Sequence, residues 1–268
     1  MRKIELEELK SIQLDIVEAF HNFCIENGIK YSLACGSLLG AIRHDGYIPW
    51  DDDIDVYLER EDYNRLLKLF PEVYKDTYKL IHLKNSNSWN MPYAKLYDKR
   101  TLMFEDVEYW IPIGVNIDVF PLDKVPQDEA EWNKFNKKRI FLRDIIRYKA
   151  TRPRKRHSFV KNIGAFFTMI AYFFITRHFH AKVVNWYAQR YNKEEDATRL
   201  FECVQGIFQK KPFDRKKFSK SVLHKFEDRE LCVMEGYDDC LTCGFGNYME
   251  LPPMEKRVSH HSFKAYWR

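Results

Sequence analysis

The chain has 268 residues, 45% of them hydrophobic and 16% aromatic, which supplies the core of one large globular domain, or of a core domain with a substantial extension. Its net charge of +5 conceals two halves of opposite sign: residues 1–130 carry a net −9 and the remainder +14, which argues against a chain that binds a polyanion along its whole length. The opening MRKIELEELK lacks the apolar core of a secretory signal, so the six cysteines are expected in a reducing compartment as free thiols.

In chain order, residues 4–27 are predicted as an amphipathic helix, because Leu9, Ile12, Ile16, Val17, Phe20 and Phe23 recur at helical spacing and Asn27-Gly28 supplies the stop. Ile29 to Cys35 reads as a strand, Gly36-Ser37 as a turn and Leu38 to His44 as a second helix. Ile54 to Leu58 reads as a strand, followed by a helix from Glu61 to Leu69 that Pro71 ends. Strand patterns recur at 78–83, 92–97, 101–104 and 113–120. A long helix is predicted from Gln127 to Ala150, then the basic tract RYKATRPRKRH and the uncharged run at 163–175. That run is shorter than the roughly 20 residues a spanning helix needs, so it reads either as a buried helix or as an interfacial one beside its basic flank. The expected fold is α+β: a mixed-sheet core in residues 1–125 with flanking helices, and a largely helical, basic region at 126–268 that folds back on it.

The chemistry concentrates in GSLLGAIRHDGYIPWDDDIDV, residues 36–56, where Asp51, Asp52, Asp53 and Asp55 crowd together. Two carboxylates about 4 Å apart repel by roughly 4 kcal/mol at an effective dielectric near 20, so such a cluster is either a solvated loop or a cation site. On a strand, residues two apart share a face, which would present Asp53 and Asp55 side by side with Ile54 and Val56 in the core. Paired hard oxygen ligands of this kind suit Mg²⁺ completed by substrate phosphates, with Mn²⁺ as a substitute. Asp118, within the later strand pattern NIDVF, is a candidate third carboxylate and general base. A Gly-Ser turn at a helix start offers free N–H groups to phosphate. Cys240 and Cys243 form a C-x-x-C without a second pair or a His-x-x-His, and read as ordinary thiols.

Gly-Ser at a strand-to-helix turn, then D-x-D, then an acid on a later strand is the arrangement of the nucleotidyltransferase fold. Three blocks, GSLLGAIRHDGYIPWDDDIDV, NIDVFPLD and FGNYMELPPMEKR, further resemble the LicD phosphotransferase family, over about residues 28–257. That family includes phosphorylcholine transferases of bacterial surface glycans, with fukutin and fukutin-related protein as distant kin that transfer ribitol phosphate. The resemblance implies a CDP-linked alcohol donor, a glycan or lipid-linked glycan acceptor and release of CMP. It places Gly36, Ser37, Arg43 and His44 at donor phosphate, Asp53 and Asp55 on the metal with Asp51 supporting them or a second cation, and Asp118, the later carboxylate, as a further metal ligand. Lys95 in YAKLYD is a weaker phosphate candidate beside a surface-lysine reading, and Arg257 a phosphate or structural residue. A choline headgroup would call for aromatic faces, for which Tyr47, Trp50, Tyr93 and Trp110 are candidates.

Two rival classes share these features. A nucleotidyltransferase proper would use the same acids at the α phosphorus and release pyrophosphate. A non-enzymatic, basic membrane-associated protein would use residues 139–156. No nucleic-acid partner is expected, since no RNA-binding fingerprint is present. The expected location is cytoplasmic, peripheral at the inner face of the membrane through residues 152–177.

Overall fold

The structure, a computed structural model, describes residues 1–105, 111–150, 175–206, 208–258 and 263–268. The aromatic candidate Trp110 and the run at 163–174 lie outside these residues.

After a two-residue strand β1 (Lys3–Ile4), helix α1 (Leu6–Glu26) forms as its periodicity predicts, burying Leu9, Ile12, Ile16, Val17, Phe20 and Phe23. It stops at Asn27, and Gly28 takes φ +59°, a conformation that costs glycine little. Strand β2 (Ser32–Leu33) is shorter than predicted, because the chain leaves extended geometry at Cys35, whose φ is +47°. Helix α2 (Cys35–His44) therefore begins ahead of Leu38 and takes Gly36 and Ser37 into its first turn.

Strand β3 (Asp55–Glu59) leads into α3 (Arg60–Val73), which runs through Pro71 instead of ending before it. The reason is packing: Phe70 is buried with its ring 5.1 Å from Phe23 and 4.9 Å from Tyr74, and holds the last turn in place. Strands β4 (Tyr78–Ile81), β5 (Ala94–Asp98), β6 (Thr101–Glu105) and β7 (Asn116–Lys124) follow. The central sheet has the order β2-β3-β7-β5-β4. Within it β3 and β7 are parallel and the other pairs antiparallel.

Beyond helix α4 (Glu129–Ala150) and helix α5 (Arg177–Ala188), the second half supplies strands as well as helices. Strand β8 (Arg199–Phe201) pairs with the end of β7 and with β9 (Phe213–Asp214). A short helix α6 (Arg215–Ser219) precedes the hairpin β10 (Ser221–Phe226) and β11 (Arg229–Met234), which turns through Glu227 at φ +58°. Helix α7 (Tyr237–Phe245) follows, and the final strand β12 (Phe263–Trp267) inserts between β1 and β6. The chain thus closes its end onto its beginning. The core is built from α1, α2 and both faces of the central sheet, with β10 and β11 packed at its edge. Among the described residues no helix is long and apolar enough to cross a membrane.

Candidate active site

Sheet register assembles the centre of the site. Asp55 on β3 is the parallel partner of Asp118 on β7, and Asp118 is in turn the antiparallel partner of Lys95 on β5. Register partners share a face, so three ionisable side chains from three strands form one row. Lys95 is no surface lysine: it is buried, its Nζ 2.6 Å from Asp118 Oδ1, and it donates to Asn116 Oδ1 at 3.0 Å. Asn116 was not anticipated as a site residue, although it stands two before Asp118 on a strand and so shares its face. Gln13, a buried polar residue on the apolar side of α1, donates to the carbonyls of both Asp52 and Asn116 and ties the acidic loop to β7. It too was legible only as an exception in an apolar stripe.

Asp53 is the strongest of the charges acting on Asp55, but only Asp55 belongs to the strand. β3 begins at Asp55, and Asp53 lies on the half-buried loop before it. Burial, then the charges of Asp53, Asp118 and Asp51, push the Asp55 carboxyl well above the usual carboxylate range, against the opposing pull of Lys95. Such a carboxyl stands among like charges at a position where a cation would relieve all of them.

Gly36 and Ser37 hold this loop in place. Ser37 Oγ accepts from the Asp55 N–H at 2.9 Å and donates its one proton to the Asp53 carbonyl at 3.4 Å. The hydroxyl thus clamps the acidic segment, chiefly through the bond it accepts from the Asp55 N–H. A Cβ on Gly36 would come 2.4 Å from Asp51 Oδ2, so glycine is needed for the Asp51 carboxylate to lie against the first turn of α2. A carboxylate there is favoured by the helix dipole. The anion at this helix start is thus the protein's own. Cys35, in a left-handed conformation that costs a non-glycine residue about 1–3 kcal/mol, marks local strain in the same turn.

A basic corner forms around Trp50, the residue before the aspartate run. Arg43 donates from Nε to His44 Nε2 at 2.9 Å and from a terminal nitrogen to the Tyr248 carbonyl at 2.7 Å. Burial and then the charge of Arg257 lower the pKa of Arg43, and burial and then Arg43 lower that of His44. The Arg257 guanidinium lies 5.7 Å from the centre of the Trp50 ring, and His44 meets the edge of the same ring at 6.3 Å. Residues more than 200 positions apart are therefore brought together around the Trp50 ring, and two mutually repelling arginines favour an anion between them. Of the described aromatic candidates, Tyr47 and Tyr93 are core residues and Trp50 sits at this corner.

The donor set of hard carboxylate oxygens fits Mg²⁺, which commonly takes one or two carboxylates and lets substrate phosphates complete its shell. It fits as a pair and not as a cage: among the described residues no group of three or more His, Cys, Asp or Glu side chains is placed to hold a metal ion. Asp118, the further candidate ligand, has the Lys95 ammonium beside it and adds its charge to those acting on Asp55. Cys240, buried on α7, accepts from Gln209 Nε2 at 3.6 Å, which fits a structural thiol.

A mixed sheet with acids at the start of one strand and on its parallel neighbour, behind a Gly-Ser helix start, defines a nucleotidyltransferase-type domain. The family model described as LicD/FKTN/FKRP, nucleotidyltransferase domain matches residues 28–159. The lipopolysaccharide cholinephosphotransferase LicD of Haemophilus influenzae is 31% identical over 272 residues, covering 99% of this chain and 99% of the relative. The chain belongs to the LicD family. A shorter stretch, 31% of the chain, is 33% identical to an uncharacterized protein of Rickettsia typhi, and 27% is 36% identical to one of Rickettsia prowazekii.

Proposed function

We propose that the chain is a transferase that moves a phospho-alcohol, phosphorylcholine, from a CDP-linked donor to a hydroxyl of a cell-surface glycan such as lipopolysaccharide, releasing CMP. The observation that carries the chemistry is the row Asp55–Asp118–Lys95, whose Asp55 also feels the charges of Asp53 and Asp51 on the acidic loop. The end-to-end similarity to a lipopolysaccharide cholinephosphotransferase supports the substrate class.

In this reading Asp53 and Asp55 hold Mg²⁺, or Mn²⁺ in its place, with Asp51 in support. The ion, when bound, neutralises charge on the two donor phosphates. Arg43 and Arg257 orient the same phosphates, with His44 fixed by Arg43. Asp118, held by Lys95 and Asn116, takes the proton from the acceptor hydroxyl. The hydroxyl oxygen forms a bond to the phosphorus bearing choline, and the anhydride bond to CMP breaks. Work on a lipid-linked acceptor fits a peripheral position at the inner face of the cytoplasmic membrane.

Product analysis tests the reading. Incubation with a panel of CDP-alcohols, with and without Mg²⁺, is expected to release CMP with CDP-choline preferred. Release of pyrophosphate from a nucleoside triphosphate, without CMP from any CDP-alcohol, would assign nucleotidyl transfer instead.

A further inference from the structure

Away from the site, one surface joins positive charge to exposed aromatic rings. Helices α4 and α5 pack side by side in opposite directions: Phe135 stacks on Tyr187 at 4.9 Å, and His180 Nε2 lies 2.8 Å from the Leu142 carbonyl oxygen. Both helices turn apolar residues inward, as expected, among them Trp132, Ile145 and Val184. The outward side is unusual. Trp186 is 70% exposed, Phe141 55% and Phe179 54%. Large rings at such exposure are uncommon on a surface meant only for water.

Lysines interleave with these rings at helical spacing. On α5, exposed Lys182 lies three residues after Phe179 and four before Trp186, which puts the three on one stripe. On α4, exposed Lys134, Lys137 and Lys138 precede Phe141 on the outer side. Lys138 Nζ reaches to 5.4 Å from the Tyr187 ring centre and so bridges the two helices. Acids are sparse here: none occurs at 132–143 and none in α5. The chain between the helices carries, in sequence, a further basic tract and an uncharged run too short to span a bilayer. Both ends of that stretch emanate from these two helices.

Rings that seat at the acyl boundary, ringed by ammonium groups at headgroup level, match an anionic lipid surface in charge and in polarity. We propose that the outward face of α4 and α5, centred on Phe141, Phe179 and Trp186 and bordered by Lys134, Lys137 and Lys182, docks the protein on an anionic membrane. This deepens the peripheral position proposed above. Its test reads binding and not transfer, so the two fail separately.

The full chain is floated with phosphatidylcholine vesicles and with vesicles containing about a third phosphatidylserine. Wild type is expected to bind the anionic vesicles far more strongly, and each lysine changed to Gln at 134, 137 and 182 to weaken partition by about fivefold. The triple variant Phe141→Ser, Phe179→Ser, Trp186→Ser is expected to lose binding at least tenfold, with unchanged thermal stability because all three rings are exposed. Brominated lipid should quench wild-type tryptophan emission, and Trp186→Phe should remove that quenching. Absence of phosphatidylserine-dependent binding, or wild-type binding by the triple ring variant and by all three lysine variants, overturns the proposal. So does quenching that survives Trp186→Phe. Loss of vesicle binding with retained CMP release supports it.

Discussion

Lys95 and Asp118 face each other across β5 and β7, with Nζ 2.6 Å from Oδ1 and both side chains largely shielded from water. Removing one partner of a buried pair strands the other charge and costs about 3–5 kcal/mol, while removing both can be nearly neutral. Lys95→Met is therefore expected to lower the urea midpoint strongly and to reduce transfer by about a hundredfold. Lys95→Met combined with Asp118→Asn should recover most of the stability and none of the transfer. A double-mutant cycle with both readouts checks this. Recovery of transfer in the double variant would remove Asp118 from the chemistry.

The Ser37 clamp gives a second expectation. Ser37→Ala leaves the buried Asp55 N–H without its acceptor, at a cost of about 1–3 kcal/mol. Gly36→Ala forces Asp51 away from the start of α2. Both variants should lower the melting temperature, and both should impair kcat more than the KM for donor, since the acidic loop and not a phosphate contact is disturbed. A donor KM raised tenfold or more with kcat intact would instead place Ser37 on the phosphate.

Stability should respond to pH at two positions with opposite signs. His82 is buried and its Nδ1 accepts the Lys84 N–H, and burial followed by the Lys84 charge lowers its pKa to about 4. The unfolded chain, with a value near 6.5, binds more protons across that interval, so stability falls as pH drops from about 6.5 to about 4, by at most about 1.4 kcal/mol per unit. His82→Asn should flatten this limb. Asp55 is the reverse case: its folded pKa is raised, so its contribution is intact below the unfolded value near 3.9 and is lost as pH rises through the folded one. Asp55→Asn should accordingly raise the melting temperature at neutral pH while abolishing transfer. Thermal melts of the three proteins from pH 4 to 8 separate the two effects.

The sequence carried much of this site and little of its internal wiring. The acids, Arg43, His44 and Arg257 were legible because an aspartate inside an apolar alternation, or a long specific block, stands out in a one-dimensional pattern. The cross-strand partnership of Lys95 with Asp118 was not, because register depends on which strands pair, and chain order does not declare that β7 lies between β3 and β5. The Ser37 bond to the Asp55 N–H is not legible in sequence, because it exists only once α2 packs on β3. The buried pair of Arg60 with Asp123, 2.7 and 2.6 Å apart, joins α3 to the end of β7 and was equally invisible, since each residue alone reads as an ordinary surface charge. The short strands β8, β9 and β12 lack long alternation, and they exist through pairing with β7, with each other, and with β6 and β1 more than through local propensity.

The central claim is that the acidic loop and the row behind it transfer phosphorylcholine with a divalent cation. It is tested most directly by CMP release from CDP-choline in the presence of a glycan acceptor, comparing wild type with Asp53→Ala and Asp55→Asn across Mg²⁺ concentrations. Mg²⁺-dependent release by wild type, and a loss of at least a thousandfold in both variants with folded circular-dichroism spectra, is the predicted result; a thousandfold corresponds to about 4 kcal/mol of transition-state stabilisation. Full Mg²⁺-dependent release by either variant would contradict it.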